Sequence, residues 1–370
     1  MTSKNKLIDK LLHAPLKFNE NDFKAFINLY KKGDKLKVDK AFKDLRYCIR
    51  KVYDINESRL LETSNANEGL MGKFNKKSTK KRKKKYIKRV QRQKKGERYI
   101  KIYSEGDSWF QFPVCVRDIT DWLIKKNKDF LLYSDAYAGD WITNIIYEGQ
   151  YVEGLSKYDP DVFLISGGGN DMVGAHRLAI MVNGKGNQTK KYSSATDLEE
   201  FNLEDEIRDK ILSAQQYITK EFYSFLWIIK IQYYILFTEL YSGKSKFSDL
   251  ITITQGYAYP FPHKGIRFSL RYPLRPLINW FAGTGKWLYQ PLMIKGILDK
   301  KLQEAILTAL IFDFNNAMIQ VVNDFDNVYH IDNRDIGRDK KEWYDELHLK
   351  SHVYEEVAEK YVDLIREKIK

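Results

Sequence analysis

A serine, a histidine and several hydrogen-bond donors stand where apolar runs of this chain give way to turns, and together they describe nucleophilic chemistry. The first is in Glu105-Gly106-Asp107-Ser108-Trp109-Phe110. Gly106 permits a tight turn, and Ser108 then sits near the start of a helix, where unpaired N–H groups favour developing negative charge. Near the other end of the chain is Asp345-Glu346-Leu347-His348. An Asp three residues before a His on a turn can hold the imidazole in one tautomer, as a general base requires. Gly139, in Tyr137-Ala138-Gly139-Asp140-Trp141, either makes a turn or presents its N–H without steric obstruction. In Ser166-Gly167-Gly168-Gly169-Asn170-Asp171 the glycines exceed what a turn needs, which suggests close backbone approach to a substrate, with the Asn170 amide as donor. There is no Gly-Lys-Ser/Thr here, so a phosphate cradle is set aside. Each element has an ordinary alternative. Asp and Ser beside Gly commonly cap helices. Asp345, His348 and His352 would make a metal site, but no convincing further ligand accompanies them. We therefore expect neither metal nor cofactor.

These groups act together only if the fold gathers them. Short apolar runs read as strands at Tyr99–Ser104, Phe130–Ser134, Val162–Ser166, Leu250–Thr254 and Val328–Asp332. Between them, helical patterns cover about Val114–Asn127, a stretch after Asp140, the long span Asp205–Tyr241, and Asp299–Asn323, with Ser351–Ile369 closing the chain. Such alternation implies right-handed crossovers and a parallel sheet with helices on both faces. The expected fold class is α/β: a flavodoxin-like three-layer α/β/α domain with a five-stranded parallel sheet over 99–370, plus a mainly helical N-terminal extension. Sites in such sheets form at the carboxyl ends of the strands, which is where these residues stand. Residues 1–72 alternate helical patterns (Asp22–Lys31, Asp39–Val52) with polar breaks, and a polybasic segment, 73–98, follows.

The chain has 370 residues, 43% hydrophobic and 30% charged, as expected of a folded protein. Its formal net charge of +14 comes from one place. Lys73 to Arg98 holds fifteen Lys or Arg and one acid, Glu97, and basic and acidic residues balance elsewhere. Any electrostatic partner is therefore met by that segment, whose ordinary reading is a charged linker or a solvated helix face. Cys48 and Cys115 cannot build a disulfide framework. No signal peptide is visible in Met1–Phe18, and Phe222–Phe237 falls short of the roughly 20 apolar residues of a spanning helix. The expected setting is cytoplasmic, with peripheral contact at a membrane as the variant. Oligomeric state is not readable.

The blocks Gly106-Asp107-Ser108, Gly139, Gly168-Gly169-Asn170-Asp171 and Asp345-x-x-His348 resemble, in order and in strand position, those of the SGNH (GDSL-type) hydrolases. Trp109 stands where that pattern usually has Leu. The resemblance covers roughly residues 99–370. It implies an acyl-ester substrate, Ser108 as nucleophile, His348 as base and Asp345 orienting it. It also implies an oxyanion hole of the Ser108 and Gly139 N–H groups and the Asn170 amide. Asp107 and Asp171 would hold loops. Trp109, Phe110, Tyr257 and Tyr259, with Trp280, Trp287 and Tyr289, would wall an apolar substrate groove, or else be ordinary core. A lipid or lysophospholipid ester is the expected substrate, because Lys73–Arg98 would also suit an anionic membrane surface. The alternatives are a carbohydrate acetyl ester, and a nucleic-acid-binding protein that uses the basic segment. The second lacks any recognised module.

Overall fold

The computed structural model describes residues 3–31, 70–112, 116–174, 177–241, 245–264 and 285–369. The expected helix Asp39–Val52, both cysteines, Val114 and Trp280 lie outside the described residues. Runs rich in β-branched and aromatic residues form β1 (Ile100–Gly106), β2 (Phe130–Ser134), β3 (Val162–Ser166), β4 (Ile251–Gln255) and β5 (Val328–Ile331). They make one five-stranded sheet of order β2-β1-β3-β4-β5, parallel throughout. This is the expected α/β architecture. The register sets Ile102 beside Val162 and Val162 beside Ile251, so the central strands are buried on both faces and read as nearly continuous apolar runs.

The helices are α1 (Ser3–His13), α2 (Glu20–Lys31), α3 (Leu70–Val90), α4 (Ile119–Lys126), α5 (Ile142–Glu148) and α6 (Gln150–Tyr158). After β3 come α7 (Asp205–Ala214), α8 (Lys220–Tyr241), α9 (Lys300–Val322) and α10 (Ser351–Lys368), with short helical turns between them. Alternate strand residues point to opposite faces. On one face Tyr103 stacks on Tyr158 of α6 and packs with Phe163. On the other, Arg366 of α10 lies over Phe130, and α10 packs on α4.

Two expected helices differ, one at its start and one by an internal break. The one expected from about Val114 begins at Ile119, because Asp118 is its N-cap and accepts the Asp121 N–H. The continuous span expected over Asp205–Tyr241 is instead α7, a 3-10 turn at Gln215–Tyr217 and α8. Gln215 accepts the N–H groups of Lys191 and Tyr192, and Ile218 bridges to Val182, so an incoming loop takes the backbone that a straight helix would need.

The run Phe222–Phe237 lies in α8, which α1, α2 and α9 cover. Phe18 and Phe23 pack on Trp227, and Lys230 meets Glu20 and Gln320. Among the described residues one helix, α9, is long and apolar enough to cross a membrane, and 83% of that stretch is buried within the protein.

The basic segment is not a linker. α3 runs antiparallel to β2, along that edge of the sheet. At its start the Asn75 amide donates to the Ala138 carbonyl (3.2 Å). Near its end Arg89 donates to the carbonyls of Asn127 (2.7 Å), Phe130 (2.8 Å) and Ile124. Between these points Tyr86 packs edge-on against Tyr133 and Tyr158. Arg82 is buried, and donates to Asp118, to Thr120 Oγ1 (2.6 Å) and to the Phe110 carbonyl. Replacing Arg82 by Leu leaves Asp118 buried without its cation, so unfolding in urea is expected to show a loss of about 3–5 kcal/mol. Lys80→Gln, on the exposed face, is expected to stay within about 0.5 kcal/mol of the native chain. Equal losses would dismiss the buried pair as the anchor.

Candidate active site

β1 ends at Gly106, whose φ is +150° and whose missing Cβ would lie 2.6 Å from the Ser166 carbonyl oxygen. Only glycine fits that turn between adjacent strands. The next residue, Asp107, is a buried bracket: it accepts from Ser166 Oγ (2.8 Å), the Trp109 N–H (3.0 Å) and the Tyr257 hydroxyl (2.5 Å). Burial raises its carboxyl above the ordinary value, opposed chiefly by those hydrogen bonds. Ser108 follows, 8% exposed, at the mouth of a pocket.

His348 is brought to it from a turn between β5 and α10. Asp345 Oδ1 accepts the N–H groups of Leu347 (2.8 Å) and His348 (2.9 Å), which closes the turn. The same carboxylate faces the ring: His348 Nδ1 is 2.9 Å from both Asp345 oxygens. His348 Nε2 is then 2.7 Å from Ser108 Oγ. Phe112 packs on the imidazole at 4.3 Å between centroids, and the Trp109 indole N–H donates to the Leu347 carbonyl (3.0 Å). Trp109 therefore joins the serine turn to the histidine turn, a tie that Leu at this position lacks. His352 is exposed, and among the described residues no group of three His, Cys, Asp or Glu side chains is arranged to hold a metal ion.

Gly139 and Asn170 are the other expected donors. Gly139 has φ +90° with open space where a Cβ would project. Among the described residues, no partner takes up the N–H of Ser108 or of Gly139. Asn170 lines the pocket, and its amide donates to the Asp140 carbonyl (2.8 Å), which fixes the side chain and leaves its second hydrogen uncommitted. Asp171 accepts the Ile142 N–H (3.0 Å) and Thr143 Oγ1 (3.3 Å), and so positions the loop after Gly139.

The glycine run has a different cause from the one expected. A Cβ on Gly167 would meet Ile142, one on Gly168 (φ +101°) the Phe314 ring at 2.6 Å, and one on Gly169 the Tyr257 ring at 2.7 Å. Packing against this protein's own side chains excludes larger residues, with no need of a ligand.

The pocket beside Ser108 is almost wholly apolar. Its walls include Trp109, Met172, Tyr257, Leu288 and Trp343, with Leu307, Leu310 and Ile311 from one stripe of α9. Of the expected wall residues, Phe110, Tyr259, Trp287 and Tyr289 are absent from the lining, and Trp287 and Tyr289 give their N–H groups to Glu346. Phe110 is fully buried against Tyr361 in the core, and Tyr259 packs towards Arg338, away from the lining. Tyr257 is in the wall, and its hydroxyl also accepts the Gly169 N–H (3.1 Å), which braces the Asn170 loop against Asp107. The aliphatic walls carried no sequence signal beyond their helical spacing. Glu346 was also silent. It is buried between Asp345 and His348, and gathers the N–H groups of Gly285 (2.7 Å), Tyr289 (2.7 Å), Trp287 (3.2 Å) and His263 (3.3 Å).

Next to Gly106 and Gly139 in sequence stand acids that burial pushes towards neutrality. The Glu105 carboxyl is raised to about 8, by burial first and then by the charges of Asp140 and Asp135. Asp140 rises to about 7, again mainly through burial. For Glu105 the folded value lies above the unfolded one, so its contribution to stability is complete below the unfolded value of about 4.3 and is lost as pH rises through the folded value. Glu105→Gln is therefore expected to gain roughly 2–4 kcal/mol on the native chain between pH 5 and pH 9 in urea unfolding. Parallel pH profiles would refute a titrating Glu105.

No protein-family model and no curated protein matches the chain. Among solved structures it is similar to a family 3 carbohydrate esterase of Clostridium thermocellum, with 14% identity over 73% of this chain and 98% of that one and a TM-score of 0.35. It is also similar to a carbohydrate acetylesterase family member from Sinorhizobium meliloti, with 10% identity over 73% and 99% of the two chains and a TM-score of 0.37. An extracellular lipase of Streptomyces rimosus shares 12% identity over 63% and 80%, with a TM-score of 0.31.

Proposed function

We propose that this chain is a serine ester hydrolase of SGNH type acting on esters with an extended apolar acyl group, such as a lipid or lysophospholipid. The observation that carries the reading is a single line of contacts: Asp345 to His348 Nδ1, and His348 Nε2 to Ser108 Oγ at 2.7 Å, beside an apolar pocket. In the reaction, Ser108 Oγ attacks the carbonyl carbon as His348 Nε2 removes its proton. The imidazolium so formed is stabilised by Asp345, and gives its proton to the departing alcohol. The carbonyl oxygen becomes an oxyanion that the Ser108 and Gly139 N–H groups and the Asn170 amide receive. Water, deprotonated by the same imidazole, then attacks the acyl-serine and restores the hydroxyl.

Asn170→Ala removes one donor and is expected to lower kcat by about 10²–10³-fold with KM little changed, read with a chromogenic ester. An unchanged kcat would exclude Asn170 from the oxyanion site. The acyl preference rests on the walls from α9. A sugar acetate would leave Leu307, Leu310 and Ile311 unused, whereas a chain of several carbons covers them. Octanoyl esters are thus expected to exceed acetyl esters in kcat/KM.

The test of the class is labelling by a fluorophosphonate. The native chain is expected to take up the probe at Ser108, and Ser108→Ala and His348→Ala to leave it unlabelled. A native chain that stays unlabelled, or label on Ser108→Ala, refutes the assignment.

A further inference from the structure

The surface of α3 carries a feature that hydrolysis does not use. Arg82, Arg89 and Asn75 face the body of the protein. On the opposite side Lys73, Lys77, Lys80, Lys84 and Lys88 recur every three to four residues and form one line of exposed cations. Lys76 and Lys81 flank that line, also exposed. None of Lys76, Lys77, Lys80, Lys81, Lys84 and Lys88 pairs with an acid among the described residues, and α3 itself holds no Asp or Glu. Ile87, 52% exposed, sits within the line, and Val90 is exposed at its end.

We propose that this lysine stripe docks the protein on an anionic phospholipid bilayer. Charge complementarity selects an anionic partner, because the excess positive charge of the whole chain lies in this segment. Two observations favour lipid over nucleic acid. The arginines of α3, whose forked guanidinium groups suit base edges and paired phosphate contacts, are committed to the protein's own carbonyls and Asp118. The stripe keeps only lysines, point charges suited to mobile headgroups. Tyr86 is turned inward against Tyr133 and so is not offered for base stacking, whereas Ile87 is placed to enter the headgroup layer. Because Arg82 and Arg89 anchor α3, the stripe is fixed relative to the body, and on the inner face Asn75, near the start of α3, meets Ala138 beside Gly139. Docking does not depend on the hydrolase reading.

The test is co-sedimentation of the full chain with vesicles of phosphatidylcholine, with and without about 30 mol% phosphatidylserine, at about 0.15 M salt. The native chain is expected to bind the anionic vesicles and to be released as salt rises. Combined Lys77→Glu, Lys80→Glu, Lys84→Glu and Lys88→Glu is expected to weaken binding by about 100-fold or more. A charge-matched control of Lys185→Glu, Lys190→Glu, Lys300→Glu and Lys301→Glu is expected to bind as the native chain does. Ile87→Ser is expected to weaken vesicle binding roughly fivefold. An unchanged urea-unfolding midpoint in each variant reports that the fold is intact, and absence of turnover of a short soluble ester in the native chain would count against the hydrolase and not the docking. Equal binding to both vesicle types overturns the proposal, as does equal loss in the control. Tighter binding to duplex RNA than to anionic vesicles at the same salt, abolished by the stripe variant, assigns the surface to nucleic acid instead.

Discussion

Ser108→Ala, His348→Ala and the double variant are each expected to hydrolyse an activated ester about 10⁵–10⁶-fold more slowly than the native chain, the double no slower than either single change. The reason is in the geometry. Ser108 Oγ and His348 Nε2 are 2.7 Å apart, so each is useful only through the other. Without the imidazole the hydroxyl keeps its proton, and without the hydroxyl the imidazole has nothing to activate in the first step. Removing the second member of a broken pair then costs nothing more. The measurement is kcat/KM for the native chain and the three variants. Losses that multiply in the double variant would mean the two residues act separately, and the shared proton transfer would have to be abandoned.

Asp345→Asn is expected to reduce kcat by about 10⁴-fold while the fold survives. Asp345 has two tasks. Its Oδ1 closes the turn by accepting the N–H groups of Leu347 and His348, and an Asn side-chain oxygen can do the same. Both carboxylate oxygens also lie 2.9 Å from His348 Nδ1, where a negative charge stabilises the imidazolium and keeps the neutral ring's proton on Nδ1. A neutral amide offers no such charge, and turning its NH₂ to the ring would favour the tautomer with its proton on Nε2, which cannot accept from Ser108. Unfolding in urea separates the two tasks: an unchanged midpoint with a large loss in kcat is the expected pair of results. A fall of less than tenfold would reduce Asp345 to a turn-former.

The sheet was legible in the sequence because its strands are short apolar runs, β-branched or aromatic, that end in glycine or a polar turn, as Val162–Ser166 does before Gly167. The break within Asp205–Tyr241 was not. No Gly or Pro marks it, and the contacts that cause it come from Val182, Lys191 and Tyr192, far away in sequence. Ser108, Asp345, His348 and Asn170 could be singled out because polar groups at strand ends are few. The pocket walls could not, since Leu307, Leu310 and Ile311 have the spacing of any core-facing helix stripe. Phe110 and Tyr259 were misplaced for a related reason: an aromatic near a site in sequence points wherever its own strand or turn aims it. Arg82 was hidden among fifteen basic residues, and only the buried Asp118 distinguishes it. Tyr257 was expected as an apolar wall, but its hydroxyl bonds, which span the chain to Asp107 and Gly169, needed the fold to be seen.

The Arg82–Asp118 contact bears on how this protein can be shortened. A cut before Tyr99, where the α/β pattern starts, looks harmless on paper. It would strip the guanidinium from a buried carboxylate, take one of two donors from the Phe110 carbonyl two residues beyond Ser108, and bare the β2 edge to pairing with other chains. The product is expected to precipitate on expression, and any activity lost with it would be an artefact of trimming. The smallest piece that keeps this edge sealed starts no later than Leu70.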